Sequence, residues 1–223
     1  MDRLAFLVEG NSEIFFVESK LIPYLYQVCG PQCSLTAQKI ETNRRLHKKG
    51  GNVGYVYFEN EIRRIAAPGN VALTTLVDFF RLPTDFPGYS TDAGKISQIE
   101  SAVKERIVGQ GILRADRFFP YIQKYEFETL LYARPEAWNG VVDTPKQLEQ
   151  IKAIRSSFSS PEEINGGRDT SPSNRLKRVF HYDKVSDSIR VLSRLTVDEI
   201  RVACPRFDAW IAELEKYLSG NDE

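Results

Sequence analysis

The chain has 223 residues, and its 30 Lys plus Arg residues are balanced by 30 Asp plus Glu residues. A net charge of zero excludes a uniformly basic nucleic-acid coat and a polyanionic mimic, although local patches of one sign stay compatible with it. The hydrophobic fraction of 42% and the charged fraction of 27% are ordinary for globular proteins, which excludes disordered, fibrous and coiled-coil chains. The length favours one main domain with an appended part.

Alternating strand and helix patterns predict the fold. Strands are predicted at residues 3–8, 34–40, 71–77 and 118–122, and helices at 14–28, 57–66, 96–107, 125–131 and 207–218. Asn11 or Ser12 is expected to cap the first helix. This order favours an α/β fold with an open, mostly parallel sheet flanked by helices. Beyond Pro135 the chain changes to short polar helices and loops, so we predict an α/β core at 1–134 and a mainly helical C-terminal part at 135–223, packed on the core.

Cysteine and histidine usage indicates the compartment. Cys29, Cys33 and Cys204 are an odd number in a long chain, which favours a reducing cytoplasm over a disulfide framework. With His47 and His181 as the only histidines, a structural zinc site lacks ligands. The first ten residues become acidic too early for a signal peptide, and no apolar run approaches the ~20 residues of a membrane span. We therefore expect a cytoplasmic protein with no membrane partner.

Acidic side chains follow successive predicted strands. Glu9 and Asp78 end the first and third strands, and Glu126 and Glu128 follow the fourth. Open α/β sheets place their sites at the carboxyl ends of strands, and carboxylates brought together there are relieved by a divalent cation such as Mg²⁺. The alternative is that these acids cap helices or form ion pairs, a role that suits Glu128 and also Glu13, in the first turn of the first helix.

Other catalytic patterns are missing from the sequence. No GxSxG motif precedes a candidate nucleophile, which disfavours a serine–histidine–aspartate triad. No GxxxxGK[ST] or GxGxxG loop is present, which disfavours P-loop and dinucleotide-binding folds.

Six segments carry a family resemblance. They are residues 7–13 with the pattern VEGxxE, 74–83 with TTLVDFFRLP, 120–131, the pair 161–165 and 172–176, and 204–210. Together they resemble the bacterial family called domain of unknown function 4276, which is usually described as Toprim-like. The resemblance covers nearly the whole chain, and the joint occurrence of the segments is specific, whereas VEGxxE alone is a weak signal.

The resemblance implies a metal-dependent activity. Toprim domains of topoisomerases, primases and overcoming-lysogenization-defect nucleases use a glutamate at the first strand end as general acid or base, and an Asp-x-Asp pair holds magnesium. Glu9 and Asp78 match these positions, but Phe80 replaces the second aspartate. The resemblance therefore implies Mg²⁺ or Mn²⁺ as cofactor, with Glu126 or Glu128 supplying the missing ligand. It also implies a partner ATPase in a bacterial defence or mobile-element system.

Basic side chains are the expected contacts for nucleic-acid phosphates. The candidates are Lys124, Arg168, Arg175, Lys184 and the basic run at residues 44–49. The alternative for each is a solvated surface or an i,i+4 ion pair. Phe180 and Tyr182 could stack on bases, although aromatic residues at this spacing are more often part of a core.

Two hypotheses follow. The first is a Toprim-like, metal-dependent nuclease acting on DNA or RNA, in which Glu9 transfers a proton, Asp78 holds the metal and Glu126 or Glu128 completes the site. The second is a non-catalytic Toprim-like adaptor or sensor that docks an ATPase, which Phe80 favours. The oligomeric state and the choice between DNA and RNA stay open.

Overall fold

The computed structural model describes residues 3–30, 33–43, 48–49, 54–80, 82–165 and 167–220. The chain forms two compact units. The first comprises Met1–Gln123 and Glu213–Glu223, and the second comprises Lys124–Ala212. The observed boundary between the units thus lies between Gln123 and Lys124, and the last eleven residues belong to the first unit. The sequence pattern predicts a boundary between 134 and 135.

A parallel sheet forms the centre of the first unit. The strands of the described residues are β1 (Arg3–Val8), β2 (Ser34–Lys39), β3 (Glu41–Asn43), β4 (Lys48–Lys49), β5 (Ala72–Asp78), β6 (Phe118–Phe119) and β7 (Ile122–Gln123). The sheet has the order β2-β1-β5-β6, with β7 also paired to β5, and every pairing in it is parallel. Strands β3 and β4 form a separate antiparallel pair. The predicted open, parallel α/β architecture is therefore confirmed.

The burial of the two inner strands, β1 and β5, explains why both could be predicted from the sequence. All seven residues of β5 are buried, as are residues 4–8 of β1. A strand covered by helices on both faces reads as a continuous apolar run, because neither face meets water. In register, Val8 at the end of β1 pairs with Leu76 of β5 and with Lys39 of β2. The carboxyl ends of three strands thus lie at one edge of the sheet.

Helices flank the sheet of the first unit. They are α1 (Asn11–Phe16), α2 (Ile22–Cys29), α3 (Tyr55–Ala66) and α4 (Ile96–Gly109). The sequence predicts one helix at 14–28, but a π-helical turn, Val17–Leu21, joins α1 to α2. Pro23 lies at the start of α2 and has no N–H to donate to a carbonyl in the turn before it. A π-turn is one way for a helix to absorb such a missing bond.

The fourth strand is interrupted, in contrast to the continuous strand predicted at 118–122. Strand β6 ends at Phe119 and β7 begins at Ile122, with Pro120, which cannot donate to a ladder, between them. The Thr75 hydroxyl fills the gap, because it accepts from the Tyr121 N–H at 2.9 Å and donates to the Tyr121 carbonyl at 3.0 Å. A buried threonine side chain therefore replaces a stretch of backbone pairing.

The second unit is helical, which confirms the predicted helical C-terminal part. Its helices are α5 (Pro145–Ser156), α6 (Pro172–Val179), α7 (Ser186–Leu192), α8 (Val197–Ala203) and α9 (Pro205–Leu218), whose last turns belong to the first unit, with 3₁₀ turns at Phe127–Tyr132, Pro135–Trp138, Pro161–Glu163 and Arg168–Thr170. Within the described residues, no helix is both long enough and apolar enough to cross a membrane.

Aromatic side chains build the core of the second unit. Phe180 and Tyr182 are buried, and their rings lie 5.8 Å and 6.0 Å from the ring of the fully buried Trp138. The angles between ring planes, 73° and 62°, give the edge-to-face contacts that aromatic pairs favour. Phe180 and Tyr182 are buried core residues, which confirms the favoured interpretation of their spacing over base stacking.

Candidate active site at the carboxyl edge of the sheet

Glu9 and Asp78 meet at the carboxyl ends of the two inner strands. Glu9 follows β1 directly and is half-buried, and Asp78 is the last residue of β5 and is 8% exposed. The backbone N–H of Asp78 donates to Oε2 of Glu9 at 3.4 Å. The parallel register of β1 and β5 is what brings two acids that are 69 residues apart in sequence to one place.

A small pocket lies beside these two acids. Its wall includes Glu9 and Asp78 together with the apolar residues Ile40, Phe58, Val77, Leu82, Pro83 and Phe86. The space open to a water-sized sphere is about 10 Å³, which is about the volume needed to hold one water. Two carboxylates beside an apolar wall suit Mg²⁺ or Mn²⁺, because such hard cations take oxygen ligands and commonly use only one or two carboxylates, with waters and substrate phosphates as the rest.

Part of the apolar wall of the pocket, formed by Leu82, Pro83 and Phe86, comes from a loop that the sequence pattern did not assign to the site. The ring of Phe86 packs against Phe58 and Tyr55 at centroid distances of 5.2 Å and 5.3 Å. Oδ2 of Asp85 accepts the Tyr55 N–H at 2.9 Å, which satisfies one of the open donors at the start of α3. In the sequence, the sign that this loop belongs to the site was Asp85 next to Phe86 between two prolines. That pattern is common in loops, and it points to the site only when α3 is known to be its contact.

Glu13 lies in the first turn of α1 and is 2% exposed. A Cβ atom placed on Gly10 would lie 2.6 Å from Oε2 of Glu13. Gly10 has an ordinary extended backbone, with φ −132°, so the close approach of the carboxylate is the reason for glycine here. The helix is capped by Gly10 without a side-chain bond, so the expectation that Asn11 or Ser12 caps it is wrong.

Lys39 is a residue of this edge that the sequence analysis missed. It ends β2, is half-buried, and its Nζ donates to Oδ1 of Asn11 at the start of α1. The carboxyl edge of the sheet therefore carries a cation at β2 and acids at β1 and β5. A single lysine at the end of a strand gives no sequence signal, because its neighbours are set by strand order.

Glu126 and Glu128 belong to the second unit, where each has contacts of its own. Oε2 of Glu126 accepts the Ser173 N–H at 2.8 Å, in the first turn of α6. Glu128 is fully buried, with Nζ of Lys184 at 3.5 Å and the Tyr182 hydroxyl donating at 3.4 Å. Burial, with the Glu128 charge nearby, raises the pKa of Tyr182 well above its usual range, so this phenol stays a donor. That one of these acids completes the metal site stays a prediction.

Three of the predicted phosphate-binding side chains form ion pairs or hydrogen bonds with other residues of the second unit. Lys124 forms an ion pair with Glu163 at 2.5 Å. Arg175 donates from Nε to the Thr170 carbonyl at 2.8 Å, and its guanidinium lies 5.2 Å from the Phe158 ring centroid. Lys184 is the cation beside Glu128. The side chain of Arg168 and most of the basic run at 44–49 lie outside the described residues, so a phosphate-binding role for this set stays a prediction.

Across the part of the chain that the structure describes, no three side chains of His, Cys, Asp or Glu form a group that could hold a metal ion. Glu9 and Asp78 are the two acids that border the pocket, and Phe80 stands two positions after Asp78. A cation at this pair would need substrate or water oxygens for its remaining positions.

Comparison with known families and structures assigns the chain. A family model described as "Domain of unknown function (DUF4276)" matches residues 8–215, so the chain belongs to this family. Among solved structures, the C-terminal region of the Burkholderia pseudomallei OLD protein is similar, with 15% identity, a TM-score of 0.48 and coverage of 99% of this chain and 98% of that chain.

The C-terminal region of the Xanthomonas campestris pv. campestris OLD protein gives comparable values, with 15% identity, a TM-score of 0.46 and coverage of 99% and 96%. No curated protein matches the sequence.

Proposed function

We propose that this chain is a metal-dependent phosphodiesterase that acts on nucleic acid, with Glu9 and Asp78 at its centre. The observation that supports the proposal is the meeting of these two acids at the carboxyl edge of a parallel sheet, where the Asp78 N–H bonds Glu9 and both border one small pocket. This is the edge at which open α/β sheets place their ligands. The resemblance to Toprim domains supports the same assignment.

Each acid has a distinct part in the proposed reaction. Hydrolysis of a phosphodiester requires that the attacking water lose a proton and that the leaving oxygen gain one. Glu9 is half-buried at the edge of the sheet and can exchange that proton, while the Asp78 N–H holds one of its oxygens in place. Asp78, on a fully buried strand, would hold Mg²⁺ or Mn²⁺ with Glu9. The bound cation would neutralise charge on the phosphate.

A nuclease assay tests the proposal directly. Purified full-length protein is incubated with labelled DNA and RNA oligonucleotides and Mg²⁺ or Mn²⁺, and the wild type is compared with Glu9→Gln and Asp78→Asn. We expect Glu9→Gln to lose at least about 100-fold in rate, which is the scale of one general acid–base group, and Asp78→Asn to lose rate because it weakens binding of the cation. Both substitutions keep the size of the side chain, and thermal unfolding shows whether each variant is folded.

Glu105→Gln is the matched control. Glu105 is an exposed acid on α4 of the same unit, so neutralising it should leave the rate unchanged. Cleavage by wild type that persists at the same rate in Glu9→Gln and Asp78→Asn would contradict the assignment, because the activity would then come from elsewhere.

The alternative function is a non-catalytic adaptor that docks an ATPase. Phe80, at the position of a second metal-binding acid, favours it. Under this alternative, the protein would co-purify with a partner ATPase, and titration calorimetry would detect no binding of Mn²⁺ to the wild type. Under the phosphodiesterase proposal, Mn²⁺ binds the wild type and Asp78→Asn weakens it. The partner ATPase and a role in a bacterial defence or mobile-element system stay proposals from the family resemblance.

A further inference from the structure

The strand register places Lys39 and Asp78 on the same face of the sheet. Val8 pairs with Lys39 of β2 and with Leu76 of β5, and residues paired in this way point to one face. Asp78 is two residues beyond Leu76, and side chains two apart on a strand also share a face. From a strand spacing of about 4.8 Å and a rise of about 3.3 Å per residue, the two Cα atoms are roughly 12 Å apart.

The ammonium group of Lys39 is positioned by a neutral partner. Its Nζ donates to the amide oxygen of Asn11, and none of the ion pairs in the part of the chain that the structure describes includes it. An amide fixes the position of the side chain without neutralising its charge. In contrast, Lys124 and Lys184 of the second unit each lie against a carboxylate.

We propose that Lys39 binds a phosphate group of the nucleic-acid strand whose cleavage is proposed above, so this inference rests on that proposed function. A nucleic-acid strand that lies across the carboxyl ends of β2, β1 and β5 would contact the ammonium group of Lys39 on one side and the acids Glu9 and Asp78 on the other. One contact from a fixed lysine to the phosphate backbone sets the position of the strand without reading its sequence. Asn11 acts as the positioning residue for Lys39.

The test measures how binding depends on salt. Affinity of the full chain for labelled single-stranded DNA and RNA is determined by fluorescence anisotropy between about 50 and about 200 mM salt, without added metal so that the strand stays intact. Lys39→Met keeps the apolar stem and removes the charge. We expect about 5- to 10-fold weaker binding at the low end of this range, and a slope of log affinity against log salt that is smaller by about 0.7, the value for one phosphate contact on a single strand.

Two further variants control the experiment. Lys20→Met removes a half-buried lysine of the π-helical turn in the same unit, about 13 Å along the helix from Asn11, and should leave the slope unchanged. Lys39→Arg keeps the charge and should retain the wild-type slope. Unfolding temperatures of all variants separate lost binding from lost fold.

The outcomes separate this inference from the proposed function. If the wild type binds nucleic acid and Lys39→Met, like Lys20→Met, leaves the slope of log affinity against log salt unchanged, the role of Lys39 is overturned. The phosphodiesterase proposal would still stand. Wild type that neither binds nor cleaves DNA or RNA would overturn the phosphodiesterase proposal, and the role of Lys39 with it.

Discussion

The acids of the two units are held in different ways. In the second unit, Glu126 accepts a backbone N–H of α6, and Glu128 lies fully buried beside Lys184 and Tyr182. Glu162, 3% exposed, accepts two N–H groups at the start of α9, from Arg206 at 2.9 Å and from Phe207 at 3.0 Å. In the first unit, Glu9 and Asp78 border a pocket at the edge of the sheet.

The difference separates acids whose contacts stabilise the fold from the two acids that we propose bind a ligand. Helix N-termini and a neighbouring lysine account for Glu126, Glu128 and Glu162 of the second unit, because both stabilise a negative charge within the protein. A position after a strand does not by itself distinguish the two kinds, since Glu9 and Glu126 both follow strands. The surroundings of the carboxylate make the distinction, and they depend on tertiary structure.

Glu162→Ala should have the largest effect on stability among the acids of the second unit. It removes the acceptor for two N–H groups at the start of α9, where the Phe207 N–H is buried, and each buried donor left without a partner costs about 1–3 kcal/mol. We expect the free energy of unfolding, measured with urea, to fall by about 3 kcal/mol.

The neighbouring Glu163→Ala serves as the control for Glu162→Ala. Glu163 is half-exposed and pairs with Lys124, so its removal should cost less than about 1 kcal/mol. Equal losses in the two variants would remove the distinction between a buried cap and a surface ion pair. Under conditions where both variants are folded, the proposed nuclease rate should be unchanged, in contrast to Glu9→Gln.

Gly10→Ala should give a smaller loss that depends on Glu13. The new Cβ would lie 2.6 Å from Oε2 of Glu13, so the buried carboxylate must move, and we expect a cost of about 1 kcal/mol. In a Glu13→Ala background the same change should be neutral within about 0.5 kcal/mol, because the backbone of Gly10 is extended. A double-mutant cycle measured by urea unfolding gives the coupling; additive losses would show that Gly10 is needed for another reason.

The smallest effect concerns pH. Burial raises the pKa of Glu162 above its ordinary value of 4.5, against the backbone N–H bonds that lower it. The folded state therefore keeps this proton to higher pH than the unfolded state, so wild type should lose stability relative to Glu162→Gln as pH rises from about 4.5 through the raised pKa. Urea unfolding of both proteins from pH 4 to pH 7 measures this difference. A relative gain for wild type with rising pH would contradict the sign.

The sheet could be predicted from the sequence because its inner strands are buried on both faces. Strand β1 is predicted at its observed bounds, and β5 is displaced by one residue, since continuous apolar runs ending in Glu9 and Asp78 mark both. The interruption between β6 and β7 could not be predicted, because the Thr75 hydroxyl that bridges it lies 46 residues away from Tyr121.

The candidate site could be predicted only in part. The positions of Glu9 and Asp78 followed from strand ends, but the pairing of β1 with β2 was needed to bring Lys39 to the same edge. The packing of Phe86 against α3 was needed to form the apolar wall. The contacts of Lys124, Arg175 and Lys184 were also beyond the sequence, because a lysine or arginine that binds a carboxylate or a carbonyl has the same local pattern as one that faces solvent.

The proposed function depends most on a cation shared by Glu9 and Asp78. Crystals of the full chain soaked in Mn²⁺ and measured at an X-ray energy where manganese scatters anomalously would locate the ion. We predict an anomalous peak bonded to carboxylate oxygens of both residues, and its loss in crystals of Asp78→Asn. Manganese bound elsewhere in the same crystals, with no peak between Glu9 and Asp78, would contradict the account.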